Sequence, residues 1–148
     1  MGVTIAREED SAACRRLLEA LTARLPEWFA QPQSNRHYAE QAEVLEGWTA
    51  RLEGSARGLL LLKKHSVVSA EIYWLAVDPD HHREGIGRAL IGAVEGRLKQ
   101  DKLQYLFVAT LHPDDPYEPY RRTRALYERL GFELVLSRES LAYYLKSL

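Results

Sequence analysis

The strongest chemical signal in this sequence is a glycine-rich helix start that follows an apolar strand. The strand pattern runs from Ala70 to Val77, and Gly85 and Gly87 stand where the next helix is predicted to begin. The first turn of a helix carries backbone N–H groups without internal partners, and its dipole leaves that end partly positive. Glycines there let an anion approach the backbone closely. Residues 83–88 therefore predict an anion site, most naturally for a phosphate or pyrophosphate.

Two common nucleotide motifs do not fit this helix start. A P-loop needs Gly-Lys-Ser/Thr at this position, whereas the chain has Gly87-Arg88-Ala89. A dinucleotide fingerprint that begins at Gly85 needs a small third residue where Leu90 stands. From the residues alone, a tight glycine turn that binds nothing is the alternative to a phosphate site.

Two segments resemble motifs of the GNAT superfamily of N-acetyltransferases, which move an acetyl group from acetyl-coenzyme A to an amine. The first family motif, Gln/Arg-x-x-Gly-x-Gly/Ala after a strand ending Leu-Ala-Val, is matched by Leu75-Ala76-Val77 and His82-Arg83-Glu84-Gly85-Ile86-Gly87. The second, an Ala-x-x-Tyr-like helix running into Gly-Phe, is matched from Arg124 to Phe132. Both motifs stand in the family's order, and the element order resembles the family over essentially the whole chain.

The resemblance implies acetyl-CoA as cosubstrate and assigns the residues that bind it. The strand end would part from its neighbour, Leu103 to Thr110, and the gap would admit the pantetheine arm, with a backbone N–H near Leu75 holding the acetyl carbonyl. The helix start would bind the pyrophosphate. No metal is implied, and no covalent acyl-enzyme. The coenzyme-binding residues implied in this way are Leu75, Ala76, Val77, His82, Arg83, Gly85, Ile86, Gly87 and Arg88.

Three residues depart from the family pattern at the phosphate loop. His82 stands where Gln or Arg is usual, Arg83 where glycine is common, and Glu84 where a basic residue is common. A carboxylate beside a pyrophosphate is repelled by it, although solvent screening reduces the repulsion when the side chain points outward. Arg83 would supply the compensating positive charge. These departures bear on the affinity for the coenzyme rather than on its identity.

Glu71 and Tyr127 are the candidate catalytic residues. Glu71 interrupts an apolar strand, and a carboxylate buried among apolar side chains is a stronger base. The family's histone acetyltransferases carry a glutamate base on this strand in a similar Ala-Glu-Ile setting. By the same resemblance, Tyr127 is the general acid that protonates the departing thiolate. The alternatives are an exposed or arginine-paired Glu71 and a Tyr127 that only packs in the core.

Other chemically capable residues have plainer interpretations. The five histidines do not form a metal pattern. The acidic loop from His112 to Pro119 is expected to be solvated, although its acids would favour a cationic amine if it borders the acceptor pocket. Trp28, Phe29 and Trp48 fit either the core or the acceptor groove. Cys14 lies on an apolar helical stripe and is expected to pack in the core.

The elements that position these residues follow from apolar periodicity and turn residues. Helices are predicted over about residues 11–25, 35–48, 85–99 and 121–130. Strands are predicted over about residues 3–6, 49–53, 58–63, 67–77, 103–110, 132–136 and 141–145. The order β-α-α-β-β-β-α-β-α-β-β predicts one α/β (α+β) domain over residues 1–148, with a mixed, mostly antiparallel central sheet flanked by helices.

Composition bounds the class of protein. The chain has 148 residues, of which 46% are hydrophobic and 28% charged, as expected for one globular domain. Its 20 Lys and Arg against 21 Asp and Glu give a net charge of -1, which does not favour a dedicated nucleic-acid binder. The single cysteine excludes an intrachain disulfide. No apolar run is long enough for a secretory signal or a membrane span, so a cytoplasmic protein is expected.

Together these patterns predict an acetyl-CoA-dependent N-acetyltransferase that works by direct transfer, with Glu71 as general base and Tyr127 as general acid. The acceptor is a small-molecule amine or a protein amino group, and a second copy of the chain is a candidate partner. Nucleic acid and membrane are not expected partners. The alternative is a non-catalytic acyl-CoA-binding sensor or regulatory module, which would keep the phosphate loop without using either catalytic residue.

Overall fold

A computed structural model describes residues 2–111 and 116–148, and the strands within them form one sheet. The strands are β1 Val3–Glu8, β2 Glu46–Leu52, β3 Ser55–Lys64, β4 Ser69–Val77, β5 Tyr105–Leu111, β6 Glu133–Arg138 and β7 Leu141–Ser147. Their order across the sheet is β1-β2-β3-β4-β5-β7-β6. All neighbouring pairs are antiparallel except β4 and β5, which are parallel. The predicted mixed, mostly antiparallel sheet is confirmed.

Helices cover both faces of this sheet. In the described part of the chain they are α1 Ser11–Arg24, α2 Pro32–Ala42, α3 Ile86–Gln100 and α4 Glu118–Arg129. α1 and α2 pack on one face, and α3 and α4 pack on the other. Because successive strand side chains point to opposite faces, the run from Leu59 to Leu62 on β3 contributes to both cores. None of these helices is both long and apolar enough to cross a bilayer.

The second helix differs from its prediction at both ends. It begins at Pro32, about three residues before its predicted start, because the fixed φ of proline suits the first helical position. It ends at Ala42, and Glu46–Leu52 pairs with β1 and β3 instead of extending the helix. Trp48, predicted to end this helix, is therefore a buried strand residue in the core that includes α3. The sheet supplies the backbone hydrogen bonds that a longer helix would have supplied, so tertiary pairing overrides the periodicity.

A bulge on β4 changes the direction in which its side chains point. Leu61 on β3 pairs with Trp74, but the next residue, Leu62, pairs with Ile72, which leaves Tyr73 as an extra residue. Buried residues before the bulge pack with α3, and those after it pack with α1 and α2. One inserted residue thus moves the following side chains to the other face of the sheet.

β4 and β5 part before either strand ends. Their pairing stops at Glu71 opposite Phe107. Beyond that point β4 continues to Val77 and β5 continues to Leu111 without pairing to each other. β4 stays paired to β3, and β5 stays paired to β7, so the two halves of the sheet diverge here. The predicted parting of these two strands is confirmed.

Candidate active site

The gap between β4 and β5 opens into a large cleft of about 1210 Å³. Its walls come from the two parted strands, the segment that joins α1 to α2, the loop and first turn of α3, and α4. All nine predicted coenzyme-binding residues line the cleft, and so does Tyr127. Glu71 is not among its lining residues. The structure thus brings every predicted site residue except Glu71 to one surface.

The cleft walls are strongly basic. Four arginines line them, Arg83, Arg88, Arg122 and Arg129, and no aspartate or glutamate does so among the described lining residues. Basic walls concentrate field lines and favour a polyanionic ligand. Sequence reasoning missed Arg122 and Arg129. Their spacing of seven residues places both on one face of α4, and this spacing is the feature of the sequence that indicates a shared basic surface.

The loop between β4 and α3 is shaped by two residues with positive φ. Gly85 caps α3 with a φ of 80°, and Arg83 has a φ of 66°. Both φ angles lie in the left-handed region that favours glycine. This explains why glycine is common at the position of Arg83 in the GNAT family motif. A Cβ on Gly87 would meet only Val77 Cγ2, at 3.9 Å. Packing within the protein therefore does not require glycine at position 87.

The side chains of His82 and Glu84 both interact with other residues of the protein. His82 Nε2 lies 2.9 Å from the carbonyl oxygen of Val77, and Trp28 packs edge-on against the His82 ring at 5.9 Å. Glu84 Oε2 lies 3.1 Å from His81 Nδ1, and Glu84 does not line the cleft. The unexpected carboxylate of the loop is therefore held outside the cleft wall.

Tyr127 is buried in the core and also lies at the cleft wall. The residue is 4% exposed, and its ring packs against Phe132 with centroids 5.6 Å apart. It also lines the cleft. Burial raises the pKa of Tyr127 above its ordinary value, so the phenol holds its proton at neutral pH. A protonated hydroxyl at the cleft wall has the chemistry of a general acid.

Glu71 lies where the two strands part, beside the closed end of the cleft. Its side chain is 15% exposed, and Oε1 lies 2.7 Å from His65 Nε2. The His65 ring packs against Phe107 with centroids 5.1 Å apart. The next residue, Ile72, already lines the cleft. Sequence reasoning missed His65. The signal was the predicted β3–β4 hairpin turn, because a hairpin brings His65 beside Glu71 on the following strand.

Comparison with family models identifies the family. Residues 13–132 match the model of the acetyltransferase (GNAT) family. The chain belongs to the GNAT family. No curated protein matches it.

Solved structures share the fold of this GNAT-family protein over almost the whole chain. The PaiA N-acetyltransferase from Thermoplasma acidophilum, solved with coenzyme A, is 14% identical with a TM-score of 0.80 and covers 100% of both chains. A GNAT acetyltransferase from Elizabethkingia anophelis with acetyl-CoA bound is 15% identical with a TM-score of 0.73, covering 99% of this chain and 98% of the other. A ribosomal-protein alanine N-acetyltransferase from Escherichia coli is 22% identical with a TM-score of 0.73, covering 99% and 94%.

One wall of the GNAT-family cleft is aromatic. Trp28 and Phe29, from the segment after α1, line it together with Tyr73 and Trp74 of β4. Phe29 stacks on Trp74 with ring centroids 5.2 Å apart. The sequence left open whether Trp28, Phe29 and Trp48 belong to the core or to the acceptor groove. In the structure, Trp28 and Phe29 line the cleft. Trp48 belongs to the core.

The predictions for Cys14 and for the acidic loop of this GNAT-family protein have different outcomes. Cys14 is buried on α1, as predicted, and burial is the main cause that raises the pKa of its thiol. Residues 112–115 of the acidic loop lie outside the described residues, so the expectation about their acids stays a prediction. Next to the start of α4, Tyr117 is exposed, and Tyr120 in the first turn of this helix lines the cleft.

We expect Glu84→Lys to leave coenzyme binding intact or to tighten it. The substitution replaces a negative charge near the phosphate loop by a positive one, and salt screens such exposed charges beyond about 10 Å at 0.1 M. The gain in affinity should therefore be largest at low salt, as measured by calorimetry with coenzyme A at two salt concentrations. Weaker binding at both concentrations would contradict this, because it would mean that the Glu84–His81 pair shapes the loop.

Proposed function

We propose that this protein moves the acetyl group of acetyl-CoA to a primary amine by direct transfer. The observation that carries the proposal is the cleft between the parted strands, whose described lining residues include four arginines and no carboxylate. The phosphate groups of coenzyme A are anions of the kind that such walls attract. Relatives in the same fold were solved with coenzyme A or acetyl-CoA bound.

In this proposal the coenzyme lies along the cleft from the start of α3 to the point where the strands part. The first turn of α3, with Arg83 and Arg88, binds the pyrophosphate. The backbone of Leu75 to Val77, which has no partner on β5, bonds the pantetheine arm and the acetyl carbonyl. A preorganised N–H aimed at the developing oxyanion lowers the barrier by roughly 3 kcal/mol per donor.

The proposed general base is Glu71, which takes a proton from the acceptor ammonium. The His65 ring beside it holds the carboxylate at the closed end of the cleft. Tyr73, which lines the cleft, has a pKa raised by burial and also by the charge of Glu71. The carboxylate therefore lies close to the cleft wall, which supports a role at the closed end of the cleft.

The proposed transfer balances without a covalent enzyme intermediate. The free amine attacks the thioester carbonyl, so a C–N bond forms while the C–S bond breaks. The departing sulfur takes a proton from the Tyr127 hydroxyl, whose raised pKa keeps it protonated until that step. The second proton of the amine, released as the amide forms, replaces the one that Tyr127 gave up.

The acceptor would lie beside the aromatic wall of the cleft, near Tyr73 and Trp74, which follow Glu71 on β4. Both small-molecule amines and protein amino groups belong in the test, because structural neighbours include an aminoglycoside N-acetyltransferase and a ribosomal-protein alanine N-acetyltransferase. The deciding experiment measures thiol release from acetyl-CoA across a panel that contains both classes. Coenzyme binding without thiol release with any amine would instead support the non-catalytic acyl-CoA-binding module.

Coenzyme A should raise the thermal stability of the protein in a concentration-dependent way, because a ligand that binds only the folded state stabilises it by mass action. At about 100-fold excess over Kd the gain is roughly 2.7 kcal/mol. For a chain of this size that corresponds to a Tm increase of roughly 5–10 °C. Scanning fluorimetry should show a much smaller shift with adenosine. An equal shift with NAD would contradict the proposed coenzyme.

A further inference from the structure

Asp78 is a buried carboxylate at the junction between β4 and the phosphate loop. It directly follows Val77, the last residue of β4, and it is 5% exposed. It does not line the cleft. Burying a charge is unfavourable unless the charge is paired and hydrogen-bonded. The groups that hold this carboxylate therefore indicate what it does.

Two arginines from different elements hold the Asp78 carboxylate. Arg24, the last residue of α1, places Nη1 2.5 Å from Oδ1, and Arg57 on β3 places Nη1 3.1 Å from Oδ2. The backbone N–H of Asp80 donates to Oδ1 at 2.9 Å. Burial by itself would raise the pKa of Asp78, but the Asp80 N–H and the guanidinium groups of Arg57 and Arg24 together lower it. The carboxylate is therefore charged at neutral pH.

The backbone of Asp78 is held as well. Its N–H donates to the Arg57 carbonyl oxygen at 2.7 Å, and its carbonyl oxygen accepts from the His81 N–H at 2.9 Å. Asp78 thereby caps the short turn Pro79–His81, through which the chain enters the loop that leads to α3. Its side chain and backbone together fix where this loop starts relative to β3 and α1.

We propose that Asp78 is a positioning residue for the coenzyme, an inference that rests on the proposed function. Through Arg57 and Arg24 it holds the phosphate loop so that the first turn of α3 meets the pyrophosphate. Arg24 also ends the helix whose following segment, from Leu25 to Gln31, supplies another wall of the cleft. One carboxylate therefore ties two walls of the cleft to the sheet.

An electrostatic role and a positioning role for Asp78 predict opposite changes in coenzyme affinity when its charge is removed. If Asp78 acted on the coenzyme mainly through its charge, Asp78→Asn would remove a repulsion from the phosphates and tighten binding. If Asp78 acts by position, the same substitution loosens the loop and weakens binding. A displacement of about 1 Å can reduce activity about 100-fold. The sign of the change in coenzyme affinity thus separates the two roles.

The test compares kcat/KM for acetyl-CoA with kcat/KM for S-acetylpantetheine, which lacks the nucleotide and its phosphates. Both substrates are measured on the same sample, so any unfolded fraction cancels from the ratio of the two values. We expect Asp78→Asn to lower this ratio by about 10- to 100-fold. Calorimetry should show a higher Kd for coenzyme A, while kcat/KM for S-acetylpantetheine should change little.

Two arginine variants complete the test. Arg57→Gln leaves the carboxylate with one guanidinium and should lower the ratio in the same direction, which keeps the proposal testable if Asp78→Asn does not fold. Arg97→Gln is the matched control, because it removes an exposed arginine of α3, which pairs with Asp101 just after the helix, and should keep the ratio.

Two results would overturn the role of Asp78. One is an unchanged ratio in both Asp78→Asn and Arg57→Gln, and the other is tighter binding of coenzyme A by Asp78→Asn. A wild-type protein that binds coenzyme A but transfers acetyl from neither thioester would instead refute the proposed function. Calorimetry with coenzyme A would then still test whether Asp78 positions the loop.

Discussion

Gly87→Asp is expected to abolish coenzyme binding while leaving the fold intact. Gly87 lies in the first turn of α3 and lines the cleft, so an aspartate there would put a negative charge against the pyrophosphate. Two like charges about 4 Å apart repel by roughly 4 kcal/mol near a protein surface. Since about 1.4 kcal/mol is a factor of ten, the affinity for coenzyme A should fall about 1000-fold. Calorimetry measures the loss directly.

The fold should tolerate this aspartate. A Cβ at position 87 meets only Val77 Cγ2, at 3.9 Å, and an acid in the first turn of a helix is stabilising. The Tm without ligand should therefore stay level or rise. Gly92→Asp makes the same change on an exposed turn of the same helix, where a Cβ has no neighbour within 4 Å, and should leave the affinity unchanged. Unchanged affinity in Gly87→Asp would move the coenzyme site elsewhere.

Glu71→Gln is expected to lower turnover by about 10²- to 10⁴-fold, the usual contribution of general acid–base catalysis. Glutamine keeps the shape of the side chain beside His65 but cannot take the proton of the acceptor ammonium. Binding of acetyl-CoA should be nearly unchanged. The rate should recover at high pH, where the acceptor amine is already deprotonated in solution. Turnover measured against pH, for one confirmed acceptor, tests this directly.

Tyr127→Phe should behave differently, because Tyr127 acts on the leaving thiolate. Raising the pH does not supply the missing proton, so this variant should stay slow at high pH. It should lose less activity with a thioester whose thiol is more acidic. If Tyr127 only packs against Phe132, the variant should instead show a lower Tm with turnover largely kept. Wild-type turnover in both this variant and Glu71→Gln would rule out the mechanism and leave only a coenzyme-binding fold.

The order of the elements could be predicted because its signals are local. Apolar spacing separates helix from strand, and Asp10 begins α1 by accepting hydrogen bonds from the N–H groups of Ala12 and Ala13. Apart from the second helix, the predicted ends lie within three residues of the observed ones. The wrong prediction of the second helix shows the limit of such signals. The apolar spacing up to Trp48 fits a helix, but Trp48 pairs with Arg7 and Leu60, which lie far away in the chain.

The phosphate loop could also be located from the sequence, because all its parts lie within one short segment. A strand end, two glycines and a helix start follow one another between Leu75 and Arg88, and the structure places these residues on the cleft. The basic character of the cleft could not be derived in this way. Arg122 and Arg129 reach the same cleft from α4 only because the sheet brings that helix beside β5.

By itself, then, the sequence determined the order of the elements, the family resemblance and the loop at the start of α3. Only the tertiary structure decided which side chains share a surface. The bulge at Tyr73 moves the side chains of the rest of β4 to the other face of the sheet. The pairing of β4 with β5 ends at Glu71, and the cleft begins at the next residue. The β3–β4 turn places His65 beside Glu71. The physical reason is that backbone preferences act between neighbouring residues, whereas register and strand divergence depend on pairing partners distant in the chain.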